Sequence, residues 1–290
     1  MGRKITYKAG HKQGDVAEPE VPPDERISAS ELEKYGYCPL SWWYSRKGVE
    51  EEGAEGLASG SRTHEDIEEQ LDEVMRHEST SKEAETTVAI FSIVATAIAI
   101  ASLVISVAVF ELSLTIMVLA LLWLLAASMF LYVSLKSTER ALLVRRLSGF
   151  DEGEIVEVGL ANGGGMLDSK RFGLRGRPDV VLRIDGQLVP VEVKTGRVPR
   201  GPLFSHILQL AAYCLILEDV KGSPPPYGIL QYGKSIRHEI DYDEELRALL
   251  LAKLKEMRAG LRTGDVHRNH IRPGKCASCS RREGCVERLA

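Results

Sequence analysis

The sequence predicts an α/β protein with a central mixed sheet flanked by helices, interrupted by a two-helix transmembrane hairpin. Three observations carry that reading. Residues 86–135 hold a single charged residue, Glu111. Short runs rich in Val, Leu and Ile at 178–184 and 187–193, with two more at 227–232 and 236–241, have the length and composition of strands. Helical apolar spacing covers 203–219 and 243–261, so strands and helices alternate through the second half.

The chain has 290 residues, 44% hydrophobic and 27% charged, which is enough apolar material for a sizeable core. The formal charge of -4 is unevenly spread: residues 1–85 carry 11 Lys and Arg against 20 Asp and Glu, residues 136–290 carry 26 against 20. This composition excludes wholesale disorder, a collagen-like chain and a small disulfide scaffold. It also excludes a uniformly basic nucleic-acid coat protein, and assigns any basic surface to the second half.

Residues 1–26, rich in Pro, Gly and charge, are expected to form a disordered leader. Ser30-Glu31-Leu32-Glu33 fits a helix start, with Ser30 as cap and Glu33 reaching back. That short helix runs into Tyr35-Gly36-Tyr37-Cys38-Pro39, and 61–80 reads as a polar helix carrying His64 and Glu65. Together, 27–85 form an N-terminal helical part.

Two apolar segments follow, 88–110 and 112–135, with 23 and 24 residues free of charge, Pro and Gly. As helices each would be roughly 35 Å long, enough for a hydrocarbon core of ~30 Å. Each has 13 Leu, Ile, Val or Phe. That favours insertion by about 4–8 kcal/mol before small polar residues are counted against it. Glu111 would cost about 3 kcal/mol at a helix centre, and falls instead at the turn between two passes. The competing arrangement, a buried soluble helical hairpin, would normally show a polar stripe. Lys136, Arg140, Arg145 and Arg146 follow the second segment, and Lys82, Glu83 and Glu85 precede the first. The positive-inside rule then places both termini and the rest of the chain in the cytoplasm, anchored to the cell membrane by two passes.

The remaining segment, 136–290, completes the predicted core. Residues 155–160 alternate like a strand, and Gly163-Gly164-Gly165 is a loop. Asp185-Gly186 between two apolar runs is a strong hairpin signal. Ser223-Pro224-Pro225-Pro226 separates the 203–219 helix from the next strands, and 243–261 is amphipathic.

Asp179 lies at the start of the first hairpin strand, and Glu192 and Lys194 near the end of the second. Glu192 and Lys194 are two apart and share a strand face. Two carboxylates suit Mg²⁺ or Mn²⁺, which can activate water and steady a phosphodiester under attack. A lysine beside them can hold the phosphate or orient the water. A surface strand with an ordinary Glu–Lys pair would look the same in isolation. Gln209 and Tyr213 are spaced i,i+4 on the following helix and face one side.

Arg177-Pro178-Asp179 followed by Val191-Glu192-Val193-Lys194-Thr195-Gly196 resembles the PD-(D/E)xK nuclease signature. Gln209-x-x-x-Tyr213 resembles the extra motif of its RecB-like branch, and Gly60-Ser61-Arg62-Thr63-His64-Glu65 that branch's Gly-x-x-x-His-Glu motif. The resemblance implies a restriction-endonuclease-like fold. It implies His64, Asp179, Glu192 and the Val193 carbonyl as metal ligands and Lys194 as catalytic lysine. Gln209 and Tyr213 would contact DNA and support the site.

Five cysteines are present: Cys38, Cys214, Cys276, Cys279 and Cys285. The last three form Cys-x2-Cys-x5-Cys, a spacing suited to an iron–sulfur cluster or to structural zinc. Cys214, on the apolar helix, reads as a core thiol. The segment Tyr37-Cys38-Pro39-Leu40-Ser41-Trp42-Trp43-Tyr44 resembles the start of iron–sulfur RecB-like nucleases. That resemblance implies a 4Fe–4S cluster held by Cys38, Cys276, Cys279 and Cys285. It is closest to the CRISPR-associated Cas-four exonuclease family and implies a nuclease acting on single-stranded DNA ends, assisting a CRISPR integrase. The membrane hairpin departs from that family's pattern and leaves processing of incoming DNA, defence or repair open.

Trp42, Trp43 and Tyr44 either stack bases or pack in the core. Arg197, Arg200, Arg268, Arg272, Lys275, Arg281 and Arg282 either track a DNA backbone or form a solvated basic surface. The alternative to the enzyme is a non-catalytic, membrane-tethered DNA-binding or redox-sensing module on the same fold.

Overall fold

The computed structural model describes residues 21–49, 87, 90–98, 100–101, 115, 117–119, 121–132, 135–136, 154–158, 165–196, 198–233 and 236–289. The expected leader up to residue 20, the polar helix with His64, and Lys82, Arg140, Arg145, Arg146 and Arg197 lie outside those residues.

The chain enters through a short 3₁₀ turn, Pro23–Glu25, into strand β1 (Ile27–Ser28) and helices α1 (Ala29–Tyr37) and α2 (Pro39–Arg46). The cap of α1 is Ser28, two residues earlier than expected. Its hydroxyl accepts from Glu31 N–H at 3.2 Å while the Glu31 carboxylate accepts from Ser28 N–H at 2.9 Å. The reason is backbone conformation: Ser28 is still extended (φ -93, ψ 155), as a cap must be, whereas Ser30 is already helical. Glu33 is thereby released from capping and has a different task.

Five strands form the main sheet in the order β2 (Glu154–Val158), β5 (Val180–Ile184), β6 (Gln187–Lys194), β7 (Tyr227–Tyr232), β8 (Ile236–Asp241). β5 pairs antiparallel with both β2 and β6, β7 pairs parallel with β6, and β8 returns antiparallel. Asp185 and Gly186, at φ 50 and 80, form the two-residue turn between β5 and β6. Both left-handed positions suit the twist of the flanking strands. The parallel β6–β7 pair requires a crossover, supplied by helix α3 (Phe204–Lys221).

A second sheet of three strands was not foreseen: β1, β4 (Leu174–Gly176) and β3 (Leu167–Ser169), with β4 in the middle. Its strands have two or three residues each, too short to leave a periodic trace in sequence. Helix α4 (Glu244–Thr263) starts at its cap Asp243 and ends at Gly264 in the left-handed conformation. A short α5 (Pro273–Ala277) leads into the cysteine-rich end.

One core joins Leu32, Tyr35 and Trp42 of α1 and α2 to Leu208, Leu215 and Ile216 of α3 and to Leu250, Leu254 and Met257 of α4. The opposite face of the main sheet gathers Val180, Leu182, Val189, Val191, Val193 and Ile229. On β6 the alternation is therefore strict: 189, 191 and 193 point to one side, Glu192 and Lys194 to the other. Cys214 is a buried core thiol, and burial pushes it well above the ordinary thiol range.

Within the 86–135 block, the described residues are helical. Among the described residues no helix is long and apolar enough to cross a membrane. The runs 90–98 and 121–132 are the longest described there. They measure about 14 and 18 Å at ~1.5 Å per residue, short of the ~30 Å expected of a span. The rest of each expected span lies outside the described residues. The two runs pack together: the Phe91 and Trp123 rings are 4.7 Å apart, and the Trp123 indole N–H donates to the Phe91 carbonyl at 3.1 Å. Ala95 and Ala127 are buried, while many of the larger apolar side chains face outward, Ile93 at 70% and Met129 at 72% exposure.

Candidate active site

The end of β6 brings two of the predicted residues onto the helical side of the sheet. Glu192 is buried, and Lys194 follows as the last residue of this central strand with a side chain 16% exposed. Lys194 Nζ lies 3.1 Å from Glu192 Oε1. It donates to Gln209 Oε1 at 2.7 Å, and Gln209 Nε2 donates to the Tyr213 hydroxyl at 3.0 Å. The i,i+4 pair on α3 thus forms a buried relay ending on the lysine. Asp179, just before β5, reaches across the hairpin and accepts from Val193 N–H at 2.7 Å.

The electrostatics are strained in a specific way. Burial, and then the negative charge of Asp179, push the Glu192 carboxyl above its ordinary range, while Lys194 pulls it down. Glu192 Oε2 is buried and has no hydrogen-bond partner. An orphaned carboxylate oxygen beside a second carboxylate fits a divalent cation, whose charge would relieve both costs. Asp179 and Glu192 would be its ligands. Tyr213 is pushed well above 10, first by burial and then by Glu192 and Asp179, and stays a neutral hydroxyl.

Two residues join the site that sequence reasoning did not assign. Glu33 of α1 accepts from Lys194 Nζ at 2.9 Å. Its other oxygen lies 3.3 Å from His206 Nε2, near the start of α3. Burial opposes the Glu33 charge, but His206 and Lys194 outweigh it and hold the carboxyl at about 2. Burial likewise opposes the Lys194 charge, and Glu192 and Glu33 together hold the ammonium above its ordinary range. The signal was in the sequence: 29, 32, 33 and 36 make one helical stripe, and Glu33 is the acid within it. His206 shares a face with Gln209 and Tyr213 at i, i+3, i+7.

A second constellation sits at the far end of α1. Cys38, Cys276, Cys279 and Cys285 line one pocket with Tyr37, Ser41 and Tyr44. All four thiols are free, and burial first, then Cys279 and Cys285, push Cys38 above its ordinary range. Lys275 Nζ donates to the Tyr37 carbonyl at 2.8 Å, and Val286 N–H donates to the Tyr44 hydroxyl at 3.4 Å, tying the chain's end to α1 and α2. Arg268, Lys275, Arg281 and Arg282 line the same pocket. Four thiols lining one pocket among cations have the chemistry of an anionic metal cluster's ligands. Among the described residues, no group of three or more His, Cys, Asp or Glu is closed into a metal-holding arrangement.

Of the aromatic trio, Trp42 is fully buried, edge-on to Tyr35 at 5.4 Å, with its indole N–H on Glu31 at 3.3 Å. Trp43 lies under Lys47 at 4.6 Å. His267 is engaged by Asp265 and Glu287.

A family model described as the PD-(D/E)XK nuclease superfamily matches residues 26–286. No curated protein matches the chain. A solved structure described as "Crystal structure of SSO0001" is 22% identical over 48% of this chain, with a TM-score of 0.30. The match spans 59% of that structure's own chain.

Proposed function

The chain belongs to the PD-(D/E)XK nuclease superfamily, and on that premise we propose that it is a divalent-metal-dependent DNA exonuclease acting on single-stranded ends, tethered to the cell membrane and carrying a 4Fe–4S cluster. One observation carries the catalytic part: Asp179 and Glu192 converge beside Lys194 with a buried Glu192 oxygen left unpartnered.

Asp179 and Glu192 would hold the cation, with the Val193 carbonyl as a further ligand; His64, the remaining ligand that the resemblance implies, lies outside the described residues. Mg²⁺ or Mn²⁺ supplies Lewis-acid stabilisation of the phosphate and a more acidic water. Lys194 would exchange one of its protein acceptors for a phosphate oxygen where negative charge grows, a contact worth most in a site shielded from water. Gln209, braced by Tyr213, limits the lysine's rotamers so that the charge is already in place. Arg200, Arg268 and Arg272 are the basic groups for the DNA backbone.

The cluster reading is supported by four free thiols lining one pocket. Cys38, Cys276, Cys279 and Cys285 would hold it, joining the two ends of the soluble part. The tether is supported by two long uncharged segments in the sequence and by outward-facing Ile93, Leu121, Leu125 and Met129. The nuclease and both termini then lie in the cytoplasm, and a CRISPR integrase or another DNA-processing protein is the partner class.

The test uses detergent-purified protein with linear DNA labelled at either end, and with circular single-stranded DNA, in Mn²⁺. An exonuclease shortens the linear single strands from one end and spares the circle. Cutting of the circle, or DNA binding with no cleavage, contradicts the proposal.

A further inference from the structure

We propose that Glu33 is a positioning residue for Lys194, and that His206 holds Glu33 in place from the other side. The inference rests on the nuclease reading above, in which Lys194 meets the scissile phosphate.

A lysine side chain is long and flexible, and its ammonium has three N–H donors. Here the three find three acceptors: Glu33 Oε2 at 2.9 Å, Gln209 Oε1 at 2.7 Å and Glu192 Oε1 at 3.1 Å. Three fixed acceptors define both where the nitrogen sits and how it is turned. They are not equivalent. Gln209 is neutral, and Glu192 is the carboxylate with an oxygen left for a cation. Glu33 is the anionic partner with no duty to a metal.

Glu33 is itself fixed. The Tyr232 hydroxyl oxygen accepts from Leu203 N–H at 3.2 Å and lies 2.8 Å from His206 Nδ1. In a neutral imidazole the tyrosine proton goes to Nδ1, which leaves Nε2–H for Glu33, 3.3 Å away. Every donor in this chain then has an acceptor, from a backbone amide through Tyr232, His206 and Glu33 to Lys194. Glu33 is also the partner of Lys194 that does not come from β6 or α3. It arrives on α1, whose last residue precedes Cys38, so the proposal makes the seating of α1 a condition for an ordered lysine.

The experiment compares the full-length wild type with Glu33→Ala, Glu33→Gln, Lys194→Ala and the Glu33→Ala/Lys194→Ala double variant, by crystal structure and by Mn²⁺-dependent cleavage. In Glu33→Ala, Lys194 Nζ is expected to leave hydrogen-bonding distance of Gln209. kcat should fall roughly 10- to 100-fold with KM for DNA little changed, the scale of a misplaced catalytic group. Glu33→Gln, which keeps an acceptor, should recover part of the loss. In the Lys194→Ala background, removing Glu33 should change kcat by less than about twofold, because the two act as a unit. A Nζ that stays in place without Glu33 overturns the proposal, as does an equal loss in the Lys194→Ala background. Should Glu33→Ala fail to fold, the isosteric Glu33→Gln decides: full activity with an undisturbed lysine overturns the proposal. If the wild type cleaves nothing, the nuclease reading fails, and the crystallographic comparison still decides whether Glu33 places Lys194.

Discussion

Gly36 of α1 lies so close to Ser205 of α3 that a Cβ at position 36 would stand 2.8 Å from the Ser205 Cα and 3.0 Å from a Leu208 methyl. Only a residue without a side chain permits that approach. It sets His206, next to Ser205, within reach of Glu33, one helical turn before Gly36. Gly36→Ala is expected to push α1 from α3 at a cost of about 1–3 kcal/mol, typical of an overpacked contact. Denaturant unfolding measures the loss. Cleavage should fall along with stability, because Glu33 moves with its helix.

Gln209→Leu removes the neutral acceptor of Lys194 and the donor to the Tyr213 hydroxyl together. Both remaining groups are left short of a partner in a buried place. The expected destabilisation is about 1–3 kcal/mol. kcat should fall more than KM rises, since the residue places the lysine. Steady-state cleavage beside urea unfolding separates the two effects.

Glu31 gives a stability prediction that depends on pH. Burial raises its pKa, but Arg46 at 2.6 Å, Ser28 N–H and the Trp42 indole outweigh that, and the folded value lies below 4.5. The stabilisation is therefore fully present above the unfolded value and is lost as pH falls through the folded one. The advantage of wild type over Glu31→Gln should be constant near neutrality and shrink through the acid limb. Unfolding free energies across that range check it; a gap that widens in acid contradicts it.

The cysteine pocket makes an analytical prediction. Protein purified without oxygen should carry both iron and acid-labile sulfide, and Cys279→Ala should lose both. Zinc without sulfide would make the site a structural zinc centre instead.

Much of the main sheet was legible because its signals are local. The Asp185-Gly186 turn, the strands 227–232 and 236–241, and the Glu192-x-Lys194 face each follow from a short stretch of sequence. The shared helix face of Gln209 and Tyr213 was legible for the same reason; their hydrogen bond was not. What escaped depends on long-range packing. β1, β3 and β4 are too short to show a period, and β1 pairs with a strand almost 150 residues away, Ile27 opposite Leu174. Glu33 fitted a capping box on spacing alone, and only the extended backbone at Ser28 moved the cap and freed the acid. Tyr232, which braces His206, belongs to the site through the parallel register of β6 and β7, where it stands opposite Lys194. Strand pattern alone does not reveal that pairing.

The central claim is that Asp179, Glu192 and Lys194 form a metal-dependent centre for phosphodiester cleavage. The most direct test is the rate of single-stranded DNA cleavage in Mn²⁺ by wild type, Asp179→Ala and Lys194→Ala, each shown to be folded. Cleavage by wild type that requires the metal and is cut to a small residual rate by both substitutions is the predicted result. Cleavage that either substitution leaves at the wild-type rate, or that continues after the metal is chelated, would contradict it.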